Sequence, residues 1–199
     1  MASRKRQVFI NIPFDREFEH LYVALIVTLV SLGQTPRSAL ELPYNRDRLR
    51  RILQLLRGCD SSIHDLSRVE IPRKKPRWPR FNMPFEAGVA IGVASSPTRK
   101  PWHVLEGKRY RLLRTLSDLN GYESHIHEGS VEGMIAALLD IYWRKGKPSP
   151  PEIHALYLEV RKKAVVIKRN NNNDLFRPRA FRELRSTTTD LAREKGFIS

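Results

Sequence analysis

The sequence predicts an α/β fold: a doubly wound, parallel, five-stranded sheet with helices on both faces and a helical extension at the carboxyl end. Three observations lead there. Short apolar runs alternate with stretches whose apolar residues recur every three or four positions. Polar or turn-forming residues separate them at a nearly regular pitch. The composition then changes after Gly146, where Lys147-Pro148-Ser149-Pro150-Pro151 reads as a linker.

Gln7–Asn11 is an apolar run closed by Pro13, the mark of a buried strand. Asp15 is placed to cap the helix that follows. Phe18, Leu21, Tyr22, Leu25, Ile26 and Leu29 form one stripe of that helix, while Val23, Ala24, Val27 and Val30 fill other faces. Such a helix is expected to be covered on more than one side, and Gly33 stops it. Thr35–Leu42 reads as a weaker second strand, Asp47–Gly58 as a helix and Ser61–Asp65 as the third strand. Val69–Arg80, with three prolines and many cations, reads as a loop. Met83–Ala94 is a helix, Pro101–Glu106 a strand, Arg111–Leu119 a short helix and Glu123–His127 the fifth strand. Val131, Ile135, Leu138, Leu139 and Tyr142 line a further helix. Residues 1–146 thus form the α/β domain and 147–199 a basic helical extension. In the extension, Ile153, Leu156, Tyr157 and Val160 make a stripe that must cover this domain or another subunit. Arg169 to Asn173 is a polar break, and a basic helix is expected over Arg179–Lys195.

The chain has 199 residues, 41% of them hydrophobic, enough for a real core. Its one cysteine, Cys59, excludes an intrachain disulfide and fits a reducing, cytoplasmic setting. No signal peptide is visible. The longest apolar run, Leu21–Leu32, falls short of the ~20 residues of a membrane span, so no membrane partner is expected. The net charge of +15 has two readings: an anionic partner such as nucleic acid, or a solvated basic surface.

With a flavodoxin-like strand order, ligands are expected outside the carboxyl ends of the first and third strands, where strand order reverses. Polar residues stand at both places. Asn11 and Phe14 follow strand one; His64, Asp65 and Ser67 end strand three; Asn82 and Glu86 open the next helix. Glu86, two residues after Pro84, is expected within the first helical turn, ionised near neutral pH and aimed at the crevice. The alternative is an ordinary acidic helix start. Gly88 and Gly92 suggest close packing of that helix on the sheet. Asp65 can bind ribose hydroxyls or cap its own turn, and Asn11 can serve a ligand or its own turn. His125 and His127 would share one strand face, as metal ligands do, but no third ligand accompanies them, so no metal is expected. There is no Gly-rich phosphate loop and no Ser-His-Asp set.

The runs Val8-Phe-Ile-Asn-Ile-Pro-Phe14, Ile63-His-Asp-Leu-Ser67 and Asn82-Met-Pro-Phe-Glu-Ala-Gly-Val-Ala-Ile-Gly92 together resemble the nucleoside deoxyribosyltransferase-like group. That group is akin to the Toll/interleukin receptor (TIR) domains of bacterial defence systems. The resemblance covers about residues 7 to 145. It implies that Glu86 is the catalytic residue, that Asp65 and Ser67 lie beside the sugar, and that Asn11 and Phe14 stand at the pocket mouth. Asn82 belongs to the same helix motif and joins the substrate-binding set. The basic insertion Arg68–Arg80 departs from the pattern, and the segment after Gly146 lies outside it.

The expected activity is therefore an N-glycosidase that cleaves the nicotinamide–ribose bond of NAD or a related nucleotide, as an effector of antiviral defence or a toxin system. NAD would be substrate, with no further cofactor. Departing nicotinamide needs no proton; a nucleoside would want a donor, with His64 or Asp65 nearest. TIR-like enzymes often assemble, so a homo-oligomer or partner-regulated assembly is expected. The alternative is a non-catalytic nucleotide-sensing module whose basic tail binds nucleic acid or a partner protein.

Overall fold

A computed structural model describes residues 6–42, 47–68, 81–94, 100–119 and 121–199. Five parallel strands form the sheet: β1 (Arg6–Asn11), β2 (Gln34–Ser38), β3 (Ser61–Asp65), β4 (Trp102–Glu106) and β5 (His125–Ile126). Their order is β2-β1-β3-β4-β5, so strand order reverses between β1 and β3, as the alternation of elements predicts. Ile10 pairs with Ile63 and Asn11 with His64, which brings the carboxyl ends of β1 and β3 side by side.

Among the described residues, seven α-helices connect or follow the strands: α1 (Glu19–Ser31), α2 (Arg48–Gly58), α3 (Asn82–Ala94), α4 (Arg111–Thr115), α5 (Val131–Tyr142), α6 (Pro150–Asn170) and α7 (Pro178–Glu194). Alternation along β1 divides the core. Val8 and Ile10 join the cluster of α1, α5, α6 and α7. Phe9 turns the other way, to Ile52 and Leu56 of α2 and Ala90 of α3.

α1 shows why its apolar residues fill every face. It packs on α5, α6 and α7 as well as on β2, and every residue from Leu21 to Ser31 is buried. Its one buried threonine, Thr28, donates its hydroxyl to the carbonyl of Ala24 at 2.7 Å, so the helix carries no loose polar group there. The stripe Ile153, Leu156, Tyr157 and Val160 covers this chain's own α1 face and lies in one cluster with it.

Local chemistry sets the limits of the extension. Ser149 and Glu152 form a reciprocal cap at the start of α6, with Pro150 in the first position. The asparagine run has a conformational reason. Asn172 and Asn173 take φ of 57° and 56°, a left-handed turn that asparagine tolerates and that reverses the chain into α7. None of the described helices is long and apolar enough to cross a membrane. The basic segment 69–80 and residues 43–46 and 95–99 lie outside the described residues.

Candidate active site at the carboxyl edge of the sheet

Asn11 is the last residue of β1 and is buried. Its side-chain amide donates to the carbonyl of Met83 at 2.9 Å and lies 3.2 Å from His64 Nδ1. Asn11 therefore ties the end of β1 to the first turn of α3. With Nδ1 of His64 accepting from this amide, the ring proton belongs on Nε2, which meets Ser62 Oγ at 3.0 Å. Burial, helped by the nearby His103, pushes the His64 pKa down to about 3. His64 is a neutral structural bridge, and the role of proton donor considered for it has no support in this geometry.

Glu86 stands differently from the sequence expectation. α3 begins at Asn82, so its first turn is 82–85 and holds no acid. Glu86 lies one residue beyond, where the free N–H groups no longer serve it. Burial then dominates. It lifts the carboxyl from the ordinary 4.5 to about 7, against the opposing pull of Arg48 on α2. Met83, Ala87 and Ala90 are the buried residues of α3, while Gly88 and Gly92 are exposed. A Cβ added at either glycine meets nothing within 4 Å among the described residues. Close approach to the sheet is made by the alanines, not by these glycines. Asn82 is exposed at the start of the helix, beside exposed Phe81.

The raised pKa has a stability consequence with a definite sign. The fold holds the Glu86 proton more tightly than the unfolded chain does, so ionising it in place costs stability. That cost sets in above pH about 4.5 and is complete above about 7. Glu86→Gln is expected to melt higher than the wild type above pH 7, with the difference gone below 4.5. Thermal unfolding across pH checks this.

Asp65 ends β3 fully buried and accepts from the backbone N–H and the hydroxyl of Ser67, closing its own turn. Its second oxygen lies 3.1 Å from Nε2 of buried His127. The two attract across this gap, but the ring N–H is not directed along it as a good hydrogen bond requires. His127 Nδ1 accepts from Gly129 N at 3.0 Å, which assigns the ring proton of the neutral imidazole to Nε2. Beside this pair, buried Glu106 at the end of β4 meets Arg111 Nη2 at 2.8 Å, and Arg111 also donates to the Leu66 carbonyl at 2.6 Å. Burial raises the Glu106 pKa, and Arg111 opposes the rise.

The structure thus separates the expected residues into two groups. Asn11 and the α3 start that carries Asn82 and Glu86 are joined on the α2–α3 face. Asp65 and Ser67 are joined to each other and to His127. Phe14 lies apart, its ring tilted against Phe176 of the α6–α7 connection at 5.5 Å. Phe176 also contacts Tyr22 at 5.0 Å. Sequence reasoning missed Glu106 and Arg111. The signal that singles out Asp65, a charged residue at the carboxyl end of a strand, applies equally to Glu106. His125 and His127 do not share a strand face. β5 stops at Ile126, His125 faces His103 with ring centres 5.7 Å apart, and His127 turns inward.

His127 is held in place by a close approach. A Cβ on Gly133, in the first turn of α5, would lie 2.1 Å from the His127 carbonyl oxygen. Gly133→Ala must displace that turn and the histidine with it, at a cost of ~1–3 kcal/mol. A shift of the denaturation midpoint checks it. Three surface concavities among the described residues are lined by other residues and touch neither Glu86 nor Asp65. Residues 69–80, between β3 and α3, lie outside the described residues. No family model and no curated protein matches the chain.

Proposed function

We propose that the chain is an N-glycosidase acting on NAD, with Glu86 as its catalytic residue. One observation carries this reading: a partly desolvated carboxyl, poised near neutral pH, on the helix that Asn11 binds to the end of β1 at the sheet's switch point. When the ribose C1′–nitrogen bond breaks, its electron pair leaves with the ring, so cationic nicotinamide departs neutral and positive charge develops on the sugar. An ionised Glu86 facing that carbon stabilises the charge, more strongly for being out of water. Water or another acceptor then bonds to C1′ and loses a proton. The cationic substrate itself draws the Glu86 proton off when it binds. Asn82 at the helix start is assigned to substrate contact, while Phe14, packed on Phe176, takes no part in it. Asp65 and Ser67, through the Asp65–His127 pair, hold the strand end beside the sugar.

The resemblance to TIR-like proteins supports a role as a defence or toxin effector, acting as an assembly. The test is incubation of the protein with NAD and chromatography for nicotinamide. Release supports the reading, and none with NAD or other nucleotides, at any protein concentration, contradicts it.

A second reading has its own observation. Arg161, Lys162, Lys163 and Arg169 on α6 and Arg179 and Arg182 on α7 are all exposed. A nucleotide-sensing module whose extension binds nucleic acid accounts for them, and its affinity would fall steeply with salt.

A further inference from the structure

A concavity of about 920 Å³ opens at the opposite, amino edge of the sheet, between the domain and its extension. Arg6 at the start of β1, Arg144 and Lys147 after α5, and Arg185 of α7 line it, and no Asp or Glu does among the described residues. Leu32 and Phe197 supply apolar wall.

Helix polarity gives these cations a first task. In a parallel α/β sheet the carboxyl ends of α1, α5 and α7 meet at this edge, each worth about half a negative charge. Three such ends and the carboxylate of Ser199, which also lines the concavity, offset roughly two and a half of the four positive charges, so a surplus remains. Arg185 is partly satisfied, donating to the Pro36 carbonyl at 3.1 Å and lying 3.6 Å from Glu41. Lys147 is not. Its ammonium lies over Gly33, 3.0 Å from where a Cβ would be, and donates to no protein atom among the described residues. Among the described residues neither Arg6 nor Arg144 pairs with an Asp or Glu side chain, and Arg144 donates to the Trp143 carbonyl at 2.9 Å.

We propose that this concavity binds a small organic phosphate. Lys147, Arg144 and Arg6 meet the phosphate, and Phe197 and Leu32 meet its apolar body. A doubly charged group with three acceptor oxygens matches several convergent donors better than a single carboxylate does. The apolar wall calls for more than inorganic phosphate. The site lies at the other end of the sheet from Glu86 and does not depend on the reading given to that residue.

Phenyl phosphate is the probe, titrated calorimetrically into the full chain beside inorganic phosphate. Saturable one-to-one binding, tighter for phenyl phosphate, is expected. Lys147→Gln and Arg144→Gln should each weaken it roughly tenfold, the worth of one charged hydrogen bond. Phe197→Ala should remove the advantage over inorganic phosphate. Arg144 is exposed, so its substitution leaves the fold intact and the comparison readable. Absence of saturable binding overturns the proposal, as does affinity unchanged in both cation variants. Binding of a short oligothymidylate in place of phenyl phosphate overturns it too, in favour of a nucleic-acid surface.

Discussion

Glu86→Gln is expected to lower nicotinamide release from NAD by about a thousandfold, the scale for removing one preorganised charge from a transition state. Glutamine keeps the size of the side chain and removes only the charge. The variant remains folded, because a neutral group at this half-buried position avoids the cost that ionisation imposes above pH about 7. Loss of activity therefore cannot be assigned to unfolding, which a melting curve run alongside verifies. A variant with wild-type turnover would move the catalytic role elsewhere, and the buried Asp65–His127 pair would be the next place to look.

Phe181→Ala is the second large effect. Phe181 of α7 is fully buried, in one cluster with α1, α5 and α6. Truncating a buried phenylalanine costs about 3–5 kcal/mol, a large part of the stability of an ordinary domain. The loss is expected for the whole molecule in one cooperative transition, because α1 lies between the sheet and the extension. Val165→Ala, on the exposed side of α6, is expected to change stability by less than about 0.5 kcal/mol. Denaturant unfolding of both variants checks the pair. A small effect at Phe181, or a separate early transition, would mean that the extension is only loosely attached.

How much of this could be read from the sequence differs by element. β3 falls on Ser61–Asp65 as expected, although Ile63 is its one apolar residue; its place between two helical patterns marks it. α1 gave notice of its surroundings: apolar residues on all sides of a helix require cover on all sides, and α6 and α7 provide it. β5 is shorter than its pattern. Only His125 and Ile126 pair with β4, and the chain then turns through Glu128 and Gly129, with φ of 54° and 69°, into α5. Those turn angles are tertiary facts that no periodicity records.

At the candidate site, residue types at strand ends were legible and their directions were not. Asn11 and Asp65 are both polar ends of buried strands, yet they turn to opposite faces of the sheet. The alternation of side chains, together with the register pairing Asn11 with His64, decides that. Glu86 was found by its place near a helix start. α3 begins two residues before Pro84, which moves Glu86 out of the first turn, so burial rather than the helix end sets its pKa. His127 was visible only as a possible metal ligand, since its partner lies on another strand.

The rate of nicotinamide release by the wild-type protein across pH tests the central claim most directly, that an ionised Glu86 carries the reaction. With the carboxyl held near 7 by burial, the rate under subsaturating NAD is expected to rise with pH through about 7 and then level off. A rate that is flat across that range, or that falls as pH rises through it, would contradict the account.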